Sequence, residues 1–210
     1  MRDCAILSAI GVQRQDGKRI VLGVSCALSE AEPHWRAFLN SLKTRGIGIP
    51  DLVTSDAHEG LRAALRATLN ATPWQRCQFH LQQNAQAFVP HLELRQKVAA
   101  EIRSIFNAPD LAHAEARLAE LVAANQKASP NLAQWLETNL PEGFAVFALP
   151  ERHRLRLRTS NMAERLHREI KCRSRVASLF PNEASVPRLV TAIHIEVSED
   201  WETGRVYLPI

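Results

Sequence analysis

Apolar residues along the first 30 positions come in two runs of strand length. Cys4–Val12 is one and Lys18–Ser25 the other, separated by Gln13–Gly17 with its Asp16-Gly17 pair. An Asp-Gly pair between two apolar runs is a hairpin signal. Beyond it the period lengthens. Ser29 followed three residues later by Glu32 predicts a capping box, opening a helix through Trp35, Phe38, Leu39 and Leu42 that Gly46 and Gly48 close. Asp51–Ser55 is short, apolar and strand-like, ending at Asp56. From His58 to Leu69 the helical period returns, with Leu61, Ala64, Leu65 and Leu69 on one face. Trp74–Phe79 reads as a further strand, followed by a helix from about His80. This alternation of strands and helices predicts a mixed α/β sheet.

From Leu92 to about Asn139 nearly every apolar residue falls at helical spacing. Leu111, Ala114, Leu118, Leu121 and Val122 make the clearest amphipathic face. Two helices are expected at the end, roughly over Met162–Arg173 and Glu183–Trp201. The organisation predicted is a core segment over residues 1–90, an all-helical insertion over 91–157, and a return to the core over 158–210.

Composition changes this picture little. With 46% hydrophobic and 23% charged residues, the chain can build a packed core and is not disordered by composition. No apolar run approaches the ~20 residues of a membrane span, and Met1 is followed by Arg2 and Asp3 rather than by an apolar signal segment. The four cysteines (Cys4, Cys26, Cys77, Cys172) are scattered, which fits free thiols and a cytoplasmic protein.

Charge is more informative in its placement than in its total. Between Glu151 and Arg175 stand nine Lys or Arg against three Glu, an excess of six, although the whole chain carries only +4. The remainder is therefore net negative. A clustered basic stripe suits a phosphate backbone, and a solvated helix face has the same look. At about 100° per residue, Arg168, Lys171 and Arg175 fall within roughly 40° of Glu164. Met162, Ala163, Leu166 and Ile170 fall on the opposite side. Glu164 therefore leads a positive stripe rather than facing the core.

Three sets of residues are candidates for chemistry. Asp56 stands at the C-terminal end of a strand, where sites form in open α/β sheets. Its carboxylate could hold a divalent metal or cap the helix beginning near His58. Glu164 has the same two options, since Asn161 three residues earlier makes a variant capping box. Cys77 and His80 form a C-x-x-H pair, but zinc needs two further ligands of that quality, and no second C-x-x-C or H-x-x-x-H is present. The nucleotide-binding loops G-x-x-x-x-G-K-[ST] and G-x-G-x-x-G are absent, as is the G-x-S-x-G nucleophile elbow.

Taken in order, four segments resemble one family. They are Ser55-Asp56-Ala57-His58-Glu59-Gly60-Leu61, Trp74-Gln75-Arg76-Cys77-Gln78-Phe79-His80, Thr159-Ser160-Asn161-Met162-Ala163-Glu164-Arg165-Leu166 and Leu179-Phe180-Pro181-Asn182. Together they are similar to the Mutator-type transposases of bacterial insertion sequences, a DDE family. The resemblance implies a ribonuclease H-like fold with a helical insertion before the last acidic residue. It also implies three metal-binding carboxylates, with Asp56 as the second Asp and Glu164 as the Glu. Two Mg²⁺ (or Mn²⁺) ions about 4 Å apart would serve phosphodiester cleavage and strand transfer. Arg165, Arg168, Lys171, Arg173 and Arg175 would contact double-stranded DNA, both transposon ends and target. His58, Cys77, His80 and Asn161 match family motifs without a derivable role. The complete enzyme is expected to work as a homo-oligomer.

In the family the first Asp lies on a strand ahead of the hairpin. Here the hairpin starts almost at Met1; Asp3 would sit on the wrong strand and Asp16 in the turn. The chain is thus expected to be N-terminally truncated, lacking the first strand and the first Asp. The alternative function is then a catalytically inactive DNA-binding remnant of such a transposase.

Overall fold

The structure, a computed structural model, describes residues 5–176 and 185–209. In chain order its elements are β1 (Ala5–Val12), β2 (Arg19–Ala27), α1 (Glu32–Thr44), β3 (Val53–Ser55), α2 (Glu59–Thr68), β4 (Trp74–Arg76) and α3 (Gln78–Ala85). Then follow α4 (Arg95–Phe106), α5 (Leu111–Asn125), α6 (Pro130–Asn139), α7 (Glu151–Leu157), α8 (Asn161–Val176) and α9 (Ser185–Thr203). The class is mixed α/β, as the alternation predicts. Among the described residues the strands make two separate pairs, β1–β2 antiparallel and β3–β4 parallel.

The chain divides into two compact units. The first comprises residues 1–50, 57–71 and 160–210, and carries the hairpin with α1, α2, α8 and α9. Its turn follows from Asp16 and Gly17. The Asp16 carboxylate accepts from the Lys18 N–H at 2.9 Å, and Gly17 takes φ 65°, a left-handed conformation suited to glycine. Gly17 has a second constraint, because a Cβ there would lie 1.8 Å from the Leu208 carbonyl oxygen. The Gly17 carbonyl also accepts from the N–H groups of Tyr207 and Leu208, both at 2.9 Å, so the C-terminal segment closes over the turn.

β2 carries a bulge. Ala9 pairs with Gly23 and Ile10 with Val21, leaving Leu22 without an opposite residue. The Leu22 carbonyl accepts from the Arg45 guanidinium at 2.7 Å, and Ser198 Oγ accepts from the Val21 N–H at 3.1 Å. Gly23 makes room for this, since a Cβ would meet Arg45 Nη2 at 2.5 Å. Leu166 and Ile170 of α8 and Val190 and Ile193 of α9 are buried together, against partly buried Ile6, Ile10, Val21 and Val24 of the hairpin.

α1 corrects one expectation. It starts at Glu32, after an Ala31 N-cap, and Ser29 Oγ accepts only from the Ala31 N–H at 3.4 Å. Pro33 falls within the first turn, where its missing N–H removes nothing from the helix ladder. The Ser29–Glu32 capping box does not form because the helix starts two residues later than that motif requires.

The second unit comprises residues 51–56 and 72–159. Its core gathers Leu81 of α3, Ile102 and Ile105 of α4, Leu118 and Leu121 of α5, and Leu132 and Leu136 of α6. Phe106, Phe144 and Phe147 meet edge to face, with centroids 5.8–6.3 Å apart. α5 is capped by Asp110, whose carboxylate accepts from the His113 N–H at 2.9 Å. Strand β4 ends at Arg76, three residues short of the predicted end at Phe79. Its partner β3 runs only to Ser55, so the Cys77 N–H makes the last rung to the Ser55 carbonyl and helix α3 begins at Gln78.

Candidate functional site

Asp56 belongs to the second unit, one residue past β3, and its side chain is exposed. The capping role is not the one it plays. α2 begins at Glu59 behind the backbone of His58, and no side chain caps it. Among the described residues the Asp56 carboxylate makes no hydrogen bond or ion pair, while its carbonyl accepts from Ser55 Oγ at 2.7 Å. His58 lies 3.8 Å from the Glu30 carboxylate across an exposed pair. Gly60, in the same motif, is fixed by packing: a Cβ there would meet the Glu30 carbonyl oxygen at 2.3 Å.

Glu164 belongs to the first unit, in the first turn of α8. Its side chain is half-buried and accepts from Ser160 Oγ at 2.9 Å, and its N–H donates to the Ser160 carbonyl. Asn161 is the first residue of the helix rather than the residue before it, so the Asn161–Glu164 capping box does not form. An exposed carboxylate without a partner and a half-buried one on a helix offer hard oxygen donors.

The basic face of α8 is borne by its side-chain exposure. Leu166 and Ile170 are buried, and Arg165, Arg168 and Lys171 are exposed, with no ion pair among the described residues. Arg173 is held differently. Its Nε donates to Glu169 at 2.7 Å, and its two terminal nitrogens donate to Glu196 of α9 at 2.6 and 2.9 Å. These bonds raise the guanidinium above its ordinary range and hold the Glu196 carboxyl below its own. Asp3, the Arg175 side chain and the Leu179-Phe180-Pro181-Asn182 segment lie outside the described residues.

The Trp74–His80 segment shows a role that the sequence did not reveal. Gln75 is fully buried; its amide nitrogen donates to the Arg76 carbonyl at 2.7 Å and its oxygen accepts from the Val146 N–H at 2.8 Å. Arg76, 7% exposed, donates to Asn139 at 3.0 Å and Glu142 at 2.9 Å. Gln78 donates to the Gly143 carbonyl at 2.8 Å. Three polar anchors at positions 75, 76 and 78 thus tie β4 and α3 to residues 139–146. Cys77 is buried at the N-cap of α3, and its sulfur lies within 4.8 Å of a ring nitrogen of His80 one turn on. The spacing that reads as a ligand pair in sequence does bring the two donor atoms together.

Residues 1–204 match the family model described as transposase, Mutator family. The chain belongs to that family. It is 52% identical over 206 residues to the transposase for insertion sequence element IS406 of Burkholderia multivorans, covering 98% of this chain and 53% of that one. It is 37% identical over 202 residues to the IS1081 transposase of Mycobacterium tuberculosis, covering 96% of this chain and 48% of the relative. It is 32% identical over 196 residues to the IS256 transposase of transposon Tn4001 from Staphylococcus aureus, covering 92% and 49% respectively. The chain therefore spans about half the length of these transposases. Among its described residues no helix is long and apolar enough to cross a membrane.

Proposed function

We propose that this chain is part of the catalytic domain of a DNA transposase with a ribonuclease H-like core. Asp56 and Glu164 serve among its metal-binding carboxylates. The observation that supports this most directly is Asp56 itself. It is an exposed acid at a strand end, left without a partner among the described residues, and it is not the helix cap that would otherwise account for it. A strand-end carboxylate of this kind is positioned by backbone rather than by neighbouring side chains, as a ligand for an incoming cation needs to be.

The chain's own residues then divide the work. Asp56 and Glu164 supply oxygen ligands, and Ser160 holds one Glu164 oxygen in place. Arg165, Arg168 and Lys171 present positive charge to a DNA backbone, which fixes position without reading sequence. Arg175 continues that row in the sequence. Bound Mg²⁺ or Mn²⁺ would supply activation of the attacking oxygen and stabilisation of the leaving one.

The test is metal binding and DNA cleavage measured together. Asp56→Asn and Glu164→Gln should each lower Mn²⁺ binding, read by water-proton relaxation, and abolish metal-dependent nicking of element-end DNA, with melting unchanged. Unaltered Mn²⁺ binding in both variants overturns the assignment. Salt-dependent DNA binding without nicking by the unaltered chain favours the DNA-binding remnant instead.

A further inference from the structure

We infer that Ser55 and Trp74 are positioning residues for the Asp56 carboxylate, acting through the backbone between β3 and α2. The inference rests on the reading of Asp56 as a metal ligand. The Trp74 indole N–H donates to Ser55 Oγ at 2.9 Å. An indole nitrogen only donates, so the hydroxyl accepts here and its single proton is free to go elsewhere. It goes to the Asp56 carbonyl oxygen at 2.7 Å. The Ser55 carbonyl in turn accepts from the Cys77 N–H at 2.7 Å, one rung beyond the register that ends at Ser55 and Arg76.

The peptide on each side of the Asp56 Cα is therefore pinned. The carbonyl before it is held by the extra rung, and the carbonyl after it by the Ser55 hydroxyl, itself oriented by Trp74. Asp56 has no side-chain partner of its own among the described residues, so the backbone sets where its Cβ projects and with it the few rotamer directions open to the carboxylate. On a looser backbone the carboxylate would sample more directions and meet a cation in fewer of them. Hydrogen-bonding partners one step removed from a metal ligand typically carry a factor of about 10–100 in metal affinity. Here they would act on main chain rather than on the ligand itself, which argues for the lower end.

The experiment uses the full chain and Mn²⁺ alone, with binding read by water-proton relaxation and folding by thermal melting. Ser55→Ala and Trp74→Phe should each weaken Mn²⁺ binding about tenfold, and Ser55→Thr, which keeps a hydroxyl, should restore it. Ser55→Ala should melt close to the unaltered chain, so that lost affinity is not lost fold. Asp56→Asn separates this inference from the reading beneath it. If Asp56→Asn leaves Mn²⁺ binding intact, the ligand assignment fails. If Asp56→Asn lowers binding while Ser55→Ala and Trp74→Phe bind as tightly as the unaltered chain, only the positioning role is overturned. It is also overturned if Ser55→Thr binds as poorly as Ser55→Ala.

Discussion

The two units of this chain are held together by different physics. In the second unit, eighteen buried residues, all apolar, form one continuous cluster from Leu81 to Phe147. In the first, Leu166, Ile170, Val190 and Ile193 form a smaller cluster against partly exposed hairpin residues, and Phe38, Leu39 and Leu42 of α1 and Ala64 and Leu65 of α2 are buried besides. The first unit adds directional contacts nearer its surface, whereas those of the second are confined to the seam around Gln75, Arg76 and Gln78. Ser8 bonds His194 at 2.9 Å, Arg173 bridges to Glu196, and Arg19 lies over the rings of Trp201 and Tyr207 at 4.6 and 5.0 Å. Burial of apolar area is non-directional and involves no titrating group or screened charge, whereas polar ties answer to pH and to ionic screening. The difference therefore predicts which perturbation each unit will feel.

The largest effects should come from emptying the helical core. Leu136 and Ile102 are fully buried, and truncating either to Ala should cost about 2–5 kcal/mol. Leu166→Ala in the first unit should fall at the bottom of that range, because its half-exposed neighbours can close over the gap. Chemical denaturation followed at Trp135 for the second unit and Trp201 for the first would check this. Equal losses at all three positions would erase the contrast between the units.

Next in size is the polar seam inside the second unit. Gln75 is fully buried, and Gln75→Leu would leave the Val146 N–H without its acceptor, costing about 1–3 kcal/mol. A loss well under 1 kcal/mol on denaturation would mean that residues 139–146 do not depend on this anchor.

What was legible in the sequence follows the same division. The helical period from Leu92 to Asn139 gave α4, α5 and α6 because their burial is periodic, and periodicity survives in a one-dimensional reading. The hairpin was equally plain, since its turn needs Asp16 and Gly17 whatever surrounds it. The sheet was not. Strands β3 and β4 are three residues each, and which strands pair is a long-range matter that local apolar runs do not encode. Asp56, Glu164, Cys77 and His80 could be picked out, but the capping alternatives for Asp56 and Glu164 stayed open until helix starts were known to within one residue. The anchoring by Gln75, Arg76 and Gln78 left no local signal, because their partners lie 63–71 positions away.

A smaller effect is expected from pH between 7.5 and 5, carried in the first unit by His194. Burial holds the His194 imidazole below its ordinary value of 6.5, partly offset by its ring N–H bonding the Val190 carbonyl. An unfolded chain therefore takes up this proton before the folded unit does. Stability is full above about 6.5 and falls as pH drops below it, since acid favours the state that binds more protons. The first unit's urea midpoint should decline between pH 7.5 and pH 5 more than the second's, and His194→Gln should flatten the difference. A decline of the same size in the variant would place the pH response elsewhere.

The smallest effect, and the one that separates folding from function, lies along α8. Arg168 and Lys171 are exposed and without ion pairs among the described residues, whereas Arg173 is tied to Glu169 and Glu196. Each phosphate neutralised adds about −0.9 to the slope of log K against log salt for duplex DNA. Arg168→Ala with Lys171→Ala should thus reduce the slope by up to about 1.8 while leaving melting nearly unchanged. Arg173→Ala should do the reverse: little change in slope, and a weakening of the α8–α9 pair that is itself lessened by salt. Duplex binding by fluorescence anisotropy across a salt series, run beside melting on the same samples, reads both. If Arg173→Ala flattens the slope as much as the double variant does, its two carboxylates do not keep it from DNA, and the division of this helix into a binding row and a bracing residue is wrong.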